Sequence, residues 1–454
     1  MKLAVIGGGG VRSMFLAKSL AQRSKDLGID NIVFMDNNEE KLNIFGKMAK
    51  RVAFEINPDL SFGLTTDSIY AVTDADYVIT TIREGGDEMR VKDERIALDL
   101  GVLGQETTGA AGFSFAIRSV NVLAAYCEQI KKYAEPSCKV FNFTNPAGVV
   151  SQTLRDMGYD FTYGICDAPT GMLNSFASLY NAPEGSVKGE VYGLNHLSFF
   201  KSITLNGQDI MQDLINNDEA YSKTDLRYFE KSMLKEKACI PNEYLFYFYY
   251  PEKSLNNILN AKMTRGEQIC EINKAMISEL SEIDIDKDFD KALSVFERYY
   301  GQRENNYMAE ESGIKRNSSW SFDIHSKDNG GYAGVALKFI EIESKGLSDS
   351  MILCCLNKGA IPCLEYNDVV EITCDIKDGV VLPHKFDFVD KTNLDLIRKV
   401  KIYERLASKA IREKSISAAV DALALHPLVN SYDTASKLVD EYLTLNKEYT
   451  KDWN

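Results

Sequence analysis

The first half of the chain alternates short apolar runs with segments whose apolar residues recur at helical spacing. Residues 2–6, 31–35 and 76–81 are compact runs typical of buried strands, and residues 14–21 have the spacing of an amphipathic helix. Strands that alternate with helices across residues 1–200 favour a doubly wound parallel sheet. We therefore predict a Rossmann-type α/β domain in this half of the chain.

Three short polar segments each follow a predicted strand. They are Asn142-Phe143-Thr144-Asn145-Pro146, Gly164-Ile165-Cys166-Asp167-Ala168-Pro169 and Gly193-Leu194-Asn195-His196. We expect each at the C-terminal end of a strand, where open α/β sheets bind ligands. The thiol, carboxylate and imidazole of Cys166, Asp167 and His196 suggest a divalent metal, because thiolate and imidazole are good ligands for such ions. A buried structural cysteine and a satisfied core histidine are the alternative.

Residues 2–6 run directly into a glycine-rich loop and then into the helical segment 14–21. Strand, glycine loop and helix open a dinucleotide-binding unit, in which backbone N–H groups and the helix N-terminus hold a pyrophosphate. The next strand ends at Asp36, which is placed to accept hydrogen bonds from an adenosine ribose. A glycine turn without a ligand is the alternative, because Arg12 stands where the fingerprint has its third glycine. The predicted cofactor-binding residues are Gly7, Gly8, Gly9, Val11, Arg12, Ser13 and Asp36.

Arg90 lies in the dense charged segment 90–95, close to the phrase Gly104-Gln105-Glu106-Thr107-Thr108-Gly109. A charge run is usually the solvated face of a helix. Glycines on both sides instead favour a loop pressed against a ligand. The sequence leaves both interpretations of Arg90 open.

After His196 the pattern becomes mixed and mainly helical. Residues 199–205 have strand character and end at the hairpin signal Asn206-Gly207, whereas the chain from Asp213 onwards is largely helical. We predict a dinucleotide-binding, Rossmann-type domain over residues 1–195 and an α+β, largely helical domain for substrate and oligomerisation over residues 196–454. The four tyrosines of residues 243–251 are more typical of a core or a dimer interface than of catalysis.

Composition excludes some classes of function. The 454 residues carry a net charge of −14, which argues against nucleic acid as a partner because phosphate backbones are bound through clustered Lys and Arg. We find no signal peptide and no apolar run long enough to span a membrane. Nine cysteines without a C-x-x-C pair fit free thiols in a reducing compartment, so we expect a cytoplasmic protein.

Several motifs resemble those of glycoside hydrolase family four, in the same order along the chain. They are Gly104-Gln105-Glu106-Thr107-Thr108-Gly109, Asn145-Pro146, Cys166-Asp167-Ala168-Pro169, Gly193-Leu194-Asn195-His196, Asn357-Lys358-Gly359-Ala360-Ile361-Pro362 and His426-Pro427-Leu428-Val429. The resemblance covers nearly the whole chain. The loop Gly10-Val11-Arg12-Ser13 and the pair Ala110-Ala111 depart from the usual pattern of the family.

The resemblance implies NAD and a divalent metal, usually manganese, as cofactors. In this family NAD removes a hydride from C3 of the sugar, a base takes the acidified C2 proton, and the C1–O bond breaks by elimination. Water then adds and the hydride returns. By similarity, Cys166 and His196 hold the metal, which polarises the forming carbonyl group.

The resemblance also implies roles for substrate-facing residues. Tyr244 matches the catalytic tyrosine, with Tyr247 as the fallback. A carboxylate after the metal-binding cysteine resembles the α-specific members, so Asp167 is expected to protonate the leaving oxygen. Substrate or its phosphate is expected at Arg90, Asn145, Arg265 and Glu106.

The resemblance thus implies a 6-phospho-α-glucosidase that hydrolyses phosphorylated disaccharides such as maltose 6′-phosphate and forms a homo-oligomer, dimer or tetramer. A 6-phospho-β-glucosidase or an unphosphorylated α-glycosidase would use the same machinery. From other classes, an NAD-dependent 2-hydroxy-acid dehydrogenase and a non-catalytic nucleotide-binding protein remain alternatives.

Overall fold

The computed structural model describes residues 1–183, 185–237, 239–316, 319–327, 333–386 and 390–454. Its strands are β1 Lys2–Ile6, β2 Asn31–Met35, β3 Ser61–Thr65, β4 Tyr77–Thr80, β5 Lys139–Asn142, β6 Thr162–Gly164, β7 Val187–Leu194, β8 Leu197–Leu205, β9 Gln208–Asp209, β10 Ile240–Pro241, β11 Ser348–Leu356, β12 Val369–Lys377 and β13 Val380–Pro383.

The first ten helices lie within residues 13–223. They are α1 Ser13–Leu27, α2 Glu39–Lys41, α3 Lys47–Ile56, α4 Ser68–Val72, α5 Gly86–Asp99, α6 Ala111–Tyr133, α7 Ala147–Asp156, α8 Ala168–Leu179, α9 Met211–Asn216 and α10 Asp218–Lys223. A π-helical turn, Leu42–Gly46, joins α2 to α3.

The later helices follow a 3₁₀ turn at Asp225–Tyr228. They are α11 Lys231–Lys237, α12 Leu245–Tyr249, α13 Pro251–Asn260, α14 Arg265–Ser281, α15 Phe289–Asn305, α16 Ala309–Ser312, α17 Gly334–Ser344, α18 Lys391–Glu413, α19 Ile416–Leu425 and α20 Tyr432–Leu445.

The N-terminal strands form a parallel sheet in the order β3-β2-β1-β4-β5-β6. Leu3, Ala4, Val5 and Ile6 of β1 are all fully buried, because both faces of the sheet are covered. The predicted α/β fold with a doubly wound parallel sheet is confirmed. All six strands point their C-terminal ends to one edge, and that edge positions the site.

Strands from the second half of the chain extend the same sheet. β11 pairs antiparallel with β6, β12 with β11, and β13 with β12. The second half therefore contributes to the sheet of the first half as well as carrying helices. The division of the chain at residue 195 stays a prediction.

A second, antiparallel sheet is built on the hairpin of β7 and β8. Leu194 pairs with Leu197, so Asn195 and His196 alone form the turn. The sequence places His196 correctly after a strand, but that strand belongs to this sheet rather than to the parallel one. His196 reaches the edge of the parallel sheet because the hairpin lies against β12, where Thr373 Oγ1 accepts a hydrogen bond from Val191 N–H.

Several helices differ from the sequence prediction in their limits. The apolar spacing of residues 119–133 predicts an amphipathic helix, but α6 begins at Ala111, since its first turns are buried and lack the polar face that the periodicity requires. The spacing of residues 332–340 also predicts a helix, which is observed as α17, and Tyr332 lies outside the described residues. Residues 416–445 are expected to be helical with a break at His426-Pro427, and that break is observed between α19 and α20.

In the part of the chain that the structure describes, no helix combines the length and apolar character that crossing a membrane requires.

Candidate functional site

A cavity of about 500 Å³ opens at the C-terminal edge of the parallel strands. It is lined by most of the residues that the sequence singles out, which come from both halves of the chain: Gly7, Gly9, Val11, Arg12, Ser13, Arg90, Glu106, Asn145, Cys166, Asp167, His196, Tyr244, Tyr247 and Arg265.

The glycine loop passes directly from β1 into α1. Gly7 has φ +99°, and a Cβ there would lie 2.4 Å from the backbone oxygen of Thr81. The Ser13 hydroxyl donates to the Gly8 carbonyl at 2.7 Å and closes the loop. The N-terminus of α1 and the loop therefore face the cavity with little side-chain bulk, which suits a pyrophosphate.

Gly8 and Asp36, also predicted to bind the cofactor, support the loop from behind. A Cβ on Gly8 would lie 2.6 Å from Cβ of Phe34, so this glycine permits close packing on β2. The Asp36 carboxylate accepts hydrogen bonds from the backbone N–H groups of Gly9 and Asn38, both at 2.9 Å. The predicted contact of Asp36 with a ribose stays a prediction.

Cys166 and Asp167 lie between β6 and α8, and Asp167 is the N-cap of α8. Burial raises the pKa of the Cys166 thiol, and Glu371 raises it further. The enclosing protein raises the pKa of the Asp167 carboxyl, although 45% of its side chain is exposed to the cavity. Arg12 Nη1, 4.0 Å from Asp167 Oδ2, opposes that rise.

His196 is buried and held by Thr107. The Thr107 hydroxyl donates to Gln105 Oε1 at 2.8 Å, so its oxygen accepts from His196 Nδ1 at 3.0 Å. This places the proton on Nδ1 and leaves the lone pair of Nε2 for a ligand. Burial also lowers the pKa of His196 to about 3, so the ring is neutral, as a metal ligand must be.

Tyr244 stacks on the His196 ring, with the centroids 3.8 Å apart and the planes within 6°. Burial and Glu243 raise the pKa of Tyr244, while a hydrogen bond with Tyr307 lowers it. Tyr247 is 2% exposed, and burial raises its pKa as well. Both tyrosines are therefore protonated at neutral pH in this structure, and either needs a nearby positive charge before it can act as a base.

Arg90 is part of helix α5, but its side chain is only 10% exposed. It donates from Nε to Glu94 at 2.8 Å, and its Nη1 lies 3.1 Å from Glu106. Glu106 also accepts from Arg83 at 2.5 Å. Burial would raise the pKa of Glu106, but the two arginines lower it to about 2. The charged segment thus forms a helix whose Arg90 faces the cavity rather than the solvent.

Arg265 begins helix α14 next to a second arginine, Arg303, and both are half-buried. Its Nη2 donates to the Arg303 carbonyl at 2.8 Å, while its buried Nη1 has no hydrogen-bond partner among the described residues. Burial lowers the pKa of Arg265, and that of Arg303 to about 10. Among the described residues neither guanidinium forms an ion pair with a carboxylate, although Arg303 donates to Asn273 Oδ1 at 2.8 Å, and this favours an anion as a further partner.

Asn145 lies between β5 and α7 and joins Pro146 through a cis peptide bond. The preceding residues brace this loop, since Thr144 Oγ1 accepts from Ile82 N–H at 3.0 Å and Asn142 Oδ1 accepts from the Thr80 hydroxyl at 2.9 Å. These contacts hold the chain that leads to Asn145, which lines the cavity.

The lining fits the groups that the resemblance implies. The glycine cradle fits a pyrophosphate, and the unpartnered Arg265 nitrogen fits a phosphate. In the described ranges, no three or more His, Cys, Asp or Glu side chains converge as a metal site. Cys166 and His196 would therefore hold a metal as two protein ligands of the cavity wall, with the other positions free for substrate oxygens.

Some lining residues carry no local signal in the sequence. Arg83, Glu243, Arg303 and Tyr307 line the cavity, and burial raises the pKa of Glu243 to about 8. They lie on loops and helix ends that only the tertiary fold brings to the glycine loop. The charge of Arg83 and Arg303 is the one feature that a search for anion-binding residues could have used.

Comparison with known proteins agrees with this geometry. The profile of the family 4 glycosyl hydrolases matches residues 2–182, and that of the family 4 glycosyl hydrolase C-terminal domain matches residues 191–429. The 6-phospho-beta-glucosidase BglT of Thermotoga maritima is 31% identical over 454 residues, which cover 99% of this chain and all of that protein. The phospho-alpha-glucosidase PagL of Clostridium acetobutylicum is 25% identical over 471 residues, covering 100% and 98%.

A solved structure shares the fold along the whole chain. The 6-phospho-beta glucosidase from Thermotoga maritima, determined with manganese, NAD+ and glucose-6-phosphate, has a TM-score of 0.81 at 29% identity and 99% coverage of both chains. The two family profiles match both halves of the sequence, and the solved structure matches the complete fold. The chain belongs to glycosyl hydrolase family 4.

Proposed function

We propose that this protein hydrolyses 6-phosphoglucosides with bound NAD+ and a divalent metal, and that it prefers the α-linkage. The observation that carries the proposal is the lining of the cavity: a glycine cradle, a thiol, a neutral imidazole and under-compensated arginines surround one space. The relatives named above support the class of substrate, and they include both α- and β-specific enzymes.

The arginines orient the sugar in this proposal. The Arg265 and Arg303 guanidinium groups bind the 6-phosphate, because a half-buried cation without a carboxylate partner gains from an anion. Glu106 keeps Arg90 and Arg83 in place through its two oxygens, so its own contact with substrate is indirect. Asn145 contributes its amide to the sugar hydroxyls.

The proton transfers are assigned to two side chains. When bound, NAD+ accepts and returns a hydride and the metal stabilises negative charge on the oxidised sugar. Tyr244 Oη takes the proton from C2, which requires a neighbouring positive charge to lower its pKa. Asp167 gives a proton to the leaving oxygen, and burial raises the pKa of its carboxyl, which is the direction that favours a proton donor.

A panel of nitrophenyl glucosides tests the class of reaction. The α- and β-linked compounds, with and without a 6-phosphate, are assayed with NAD+, Mn²⁺ and a thiol reductant. We expect nitrophenol release from the α-linked 6-phosphoglucoside, no net NADH, and deuterium at C2 of the released glucose 6-phosphate when the solvent is heavy water.

Other results would assign the cavity differently. Turnover of the β-linked 6-phosphoglucoside alone would keep the chemistry and reverse the proposed anomeric preference. Product with ordinary hydrogen at C2 would contradict the elimination route. NADH that accumulates with a 2-hydroxy acid, without any release of sugar, would identify a dehydrogenase.

A further inference from the structure

A buried carboxylate outside the cavity lies against the turn that carries His196. Glu371 of β12 is 1% exposed. Its Oε1 accepts a hydrogen bond from Asn195 Nδ2 at 3.1 Å, and its Oε2 accepts from the Ser198 hydroxyl at 2.7 Å. Its two oxygens therefore hold the residue before His196 and the second residue after it.

The turn at His196 needs such an anchor. His196 has φ +60°, in the left-handed region that residues with a Cβ rarely adopt. The turn contains only Asn195 and His196, so a relaxation of the backbone there would move the imidazole directly. Contacts on either side of His196 consequently decide where its ring lies.

The body of the hairpin has a separate anchor on the same strand. Thr373 lies two residues after Glu371 and so projects from the same face of β12. Its hydroxyl accepts from Val191 N–H at 2.8 Å and donates to the Gly189 carbonyl at 3.0 Å. Thr373 fixes the β7 strand, whereas Glu371 fixes the turn at its end.

We propose that Glu371 is a positioning residue, whose carboxylate holds Asn195 and Ser198 so that His196 Nε2 stays in place as a metal ligand. This inference rests on the proposed function, because it takes His196 to bind the metal. It adds a residue from the C-terminal half of the chain to the support of the site. Glu371 itself touches neither substrate nor cofactor.

Manganese binding measures this role without reference to activity. Free Mn²⁺ is followed by electron paramagnetic resonance during titration of the NAD+-saturated enzyme, with a thiol reductant present. We expect Glu371→Ala to weaken binding about 10- to 100-fold, the usual effect of losing a group that orients a ligand. Glu371→Gln should bind almost as wild type, because its oxygen still accepts from Asn195 and its amide donates to the Ser198 hydroxyl.

Two further variants separate positioning from general loosening. Thr373→Val removes the anchor of the β7 strand and should lower the unfolding temperature while leaving Mn²⁺ affinity close to wild type. Ser198→Ala removes one of the two contacts between Glu371 and the turn, and leaves those with Asn195 and with the Cys354 thiol. It should therefore weaken Mn²⁺ binding less than Glu371→Ala does. Ser198→Ala also replaces Glu371→Ala as the test if the latter variant does not fold.

The outcomes distinguish the inference from the proposed function. If His196→Ala binds Mn²⁺ as wild type does, the metal site of the proposed function is wrong. If His196→Ala loses Mn²⁺ binding but Glu371→Ala retains it, the positioning role is overturned; where Glu371→Ala does not fold, the same holds for Ser198→Ala. The role is also overturned if Glu371→Gln binds Mn²⁺ as weakly as Glu371→Ala, because the loss of charge would then be the cause. It is likewise overturned if Thr373→Val binds Mn²⁺ as weakly as Glu371→Ala.

Discussion

The proposed α-preference depends on one carboxyl group, that of Asp167. It follows Cys166 at the start of α8, and Arg12 is its ion-pair partner at 4.0 Å. The surrounding protein raises the pKa of this carboxyl, and a raised pKa keeps the proton on an acid to a higher pH. A group in this state can donate a proton to a poor leaving group.

Asp167→Asn should therefore separate substrates by their leaving groups. We expect kcat for maltose 6′-phosphate to fall about 100- to 10,000-fold, the contribution of a positioned general acid. The kcat for nitrophenyl α-glucoside 6-phosphate should fall far less, because nitrophenolate leaves without protonation. Steady-state kinetics with both substrates measure the difference. Equal losses for the two substrates would contradict the role of Asp167 as an acid.

For single residues, chain order identifies those that follow predicted strands, and the family resemblance adds Arg90, Tyr244 and Arg265. Residues that neither signal covers are missed. Cys166 and Asn145 follow apolar strands, so their place at the edge of the sheet follows from chain order alone. Arg303 ends a helix and touches Arg265 across 38 positions of sequence. The local sequence does not predict this contact between Arg265 and Arg303, because it arises from the packing of α15 on α14.

The conformation of the loop between β1 and α1 determines which of its glycines could accept a side chain. Gly7 has a positive φ and faces the Thr81 carbonyl, whereas a Cβ on Gly10 would meet its nearest atom, the Gly7 carbonyl oxygen, only at 3.4 Å. Two glycines of one loop, three positions apart, thus differ in the atoms that an added methyl group would contact.

Gly7→Ala and Gly10→Ala form a matched pair. We expect Gly7→Ala to cost about 1–3 kcal/mol for the strained backbone alone, with more from the clash at Thr81. Gly10→Ala should change the free energy of unfolding by a few tenths of a kcal/mol, either way. Thermal unfolding without NAD+ measures both. Similar losses in the two variants would show that the loop adjusts freely.

The apolar runs predict strands but not every partner of a strand. β1, β2 and β4 are found where the hydrophobic pattern predicts them, because buried parallel strands are apolar on both faces. The antiparallel addition of β11 to β6 joins segments almost 200 positions apart. Such a pairing depends on the fold of the intervening chain, which the pattern does not specify.

His384 connects three strands through its ring. It follows β13, and its Nδ1 and Nε2 each lie 3.0 Å from a carboxylate, that of Glu190 on β7 and that of Asp375 on β12. Burial alone would lower the pKa of His384, but these two hydrogen bonds raise it above its ordinary value. The protonated ring therefore stabilises the junction.

His384→Asn should destabilise the protein at pH 6 and have less effect at pH 9. Because the folded pKa of His384 is raised, its contribution is complete below the unfolded value of about 6.5 and is lost as the pH rises through the folded value. We expect His384→Asn to lower the free energy of unfolding by about 0.5–1 kcal/mol at pH 6, a small effect because the imidazole is partly exposed. Urea unfolding at both pH values measures it, with the exposed His325→Asn as the control. A difference that grows with pH would refute the assignment.

In the whole molecule the two halves of the chain are interlocked. Strands β11 to β13 complete the sheet of the first half, and helix α20 returns to pack beside α5 and α6. Neither connection was predicted from the sequence, because the change of pattern near residue 196 marks a change of element type. The change of pattern near residue 196 carries no information about which surfaces of the two halves pack against each other.

The buried ion pair of Asp93 and Arg118 joins these parts. Arg118 donates to both oxygens of Asp93, at 3.1 and 2.6 Å, and to Asn446 just beyond α20 at 2.7 Å. Arg118 is 1% exposed and Asp93 is 2% exposed. Removing one partner would leave the other as a buried charge without compensation.

Asp93→Asn should therefore lower the free energy of unfolding by about 3–5 kcal/mol. The double variant Asp93→Leu, Arg118→Met leaves no isolated buried charge. Its loss of unfolding free energy should therefore be smaller than the sum of the losses of the two single variants, Asp93→Leu and Arg118→Met. Asp433→Asn on α20 is the matched control, since its partner Lys437 is 58% exposed and such surface pairs contribute about 0–1 kcal/mol. Urea unfolding followed by circular dichroism compares the five variants with wild type. A loss for Asp93→Asn no larger than that for Asp433→Asn would contradict the contribution of the buried ion pair to stability.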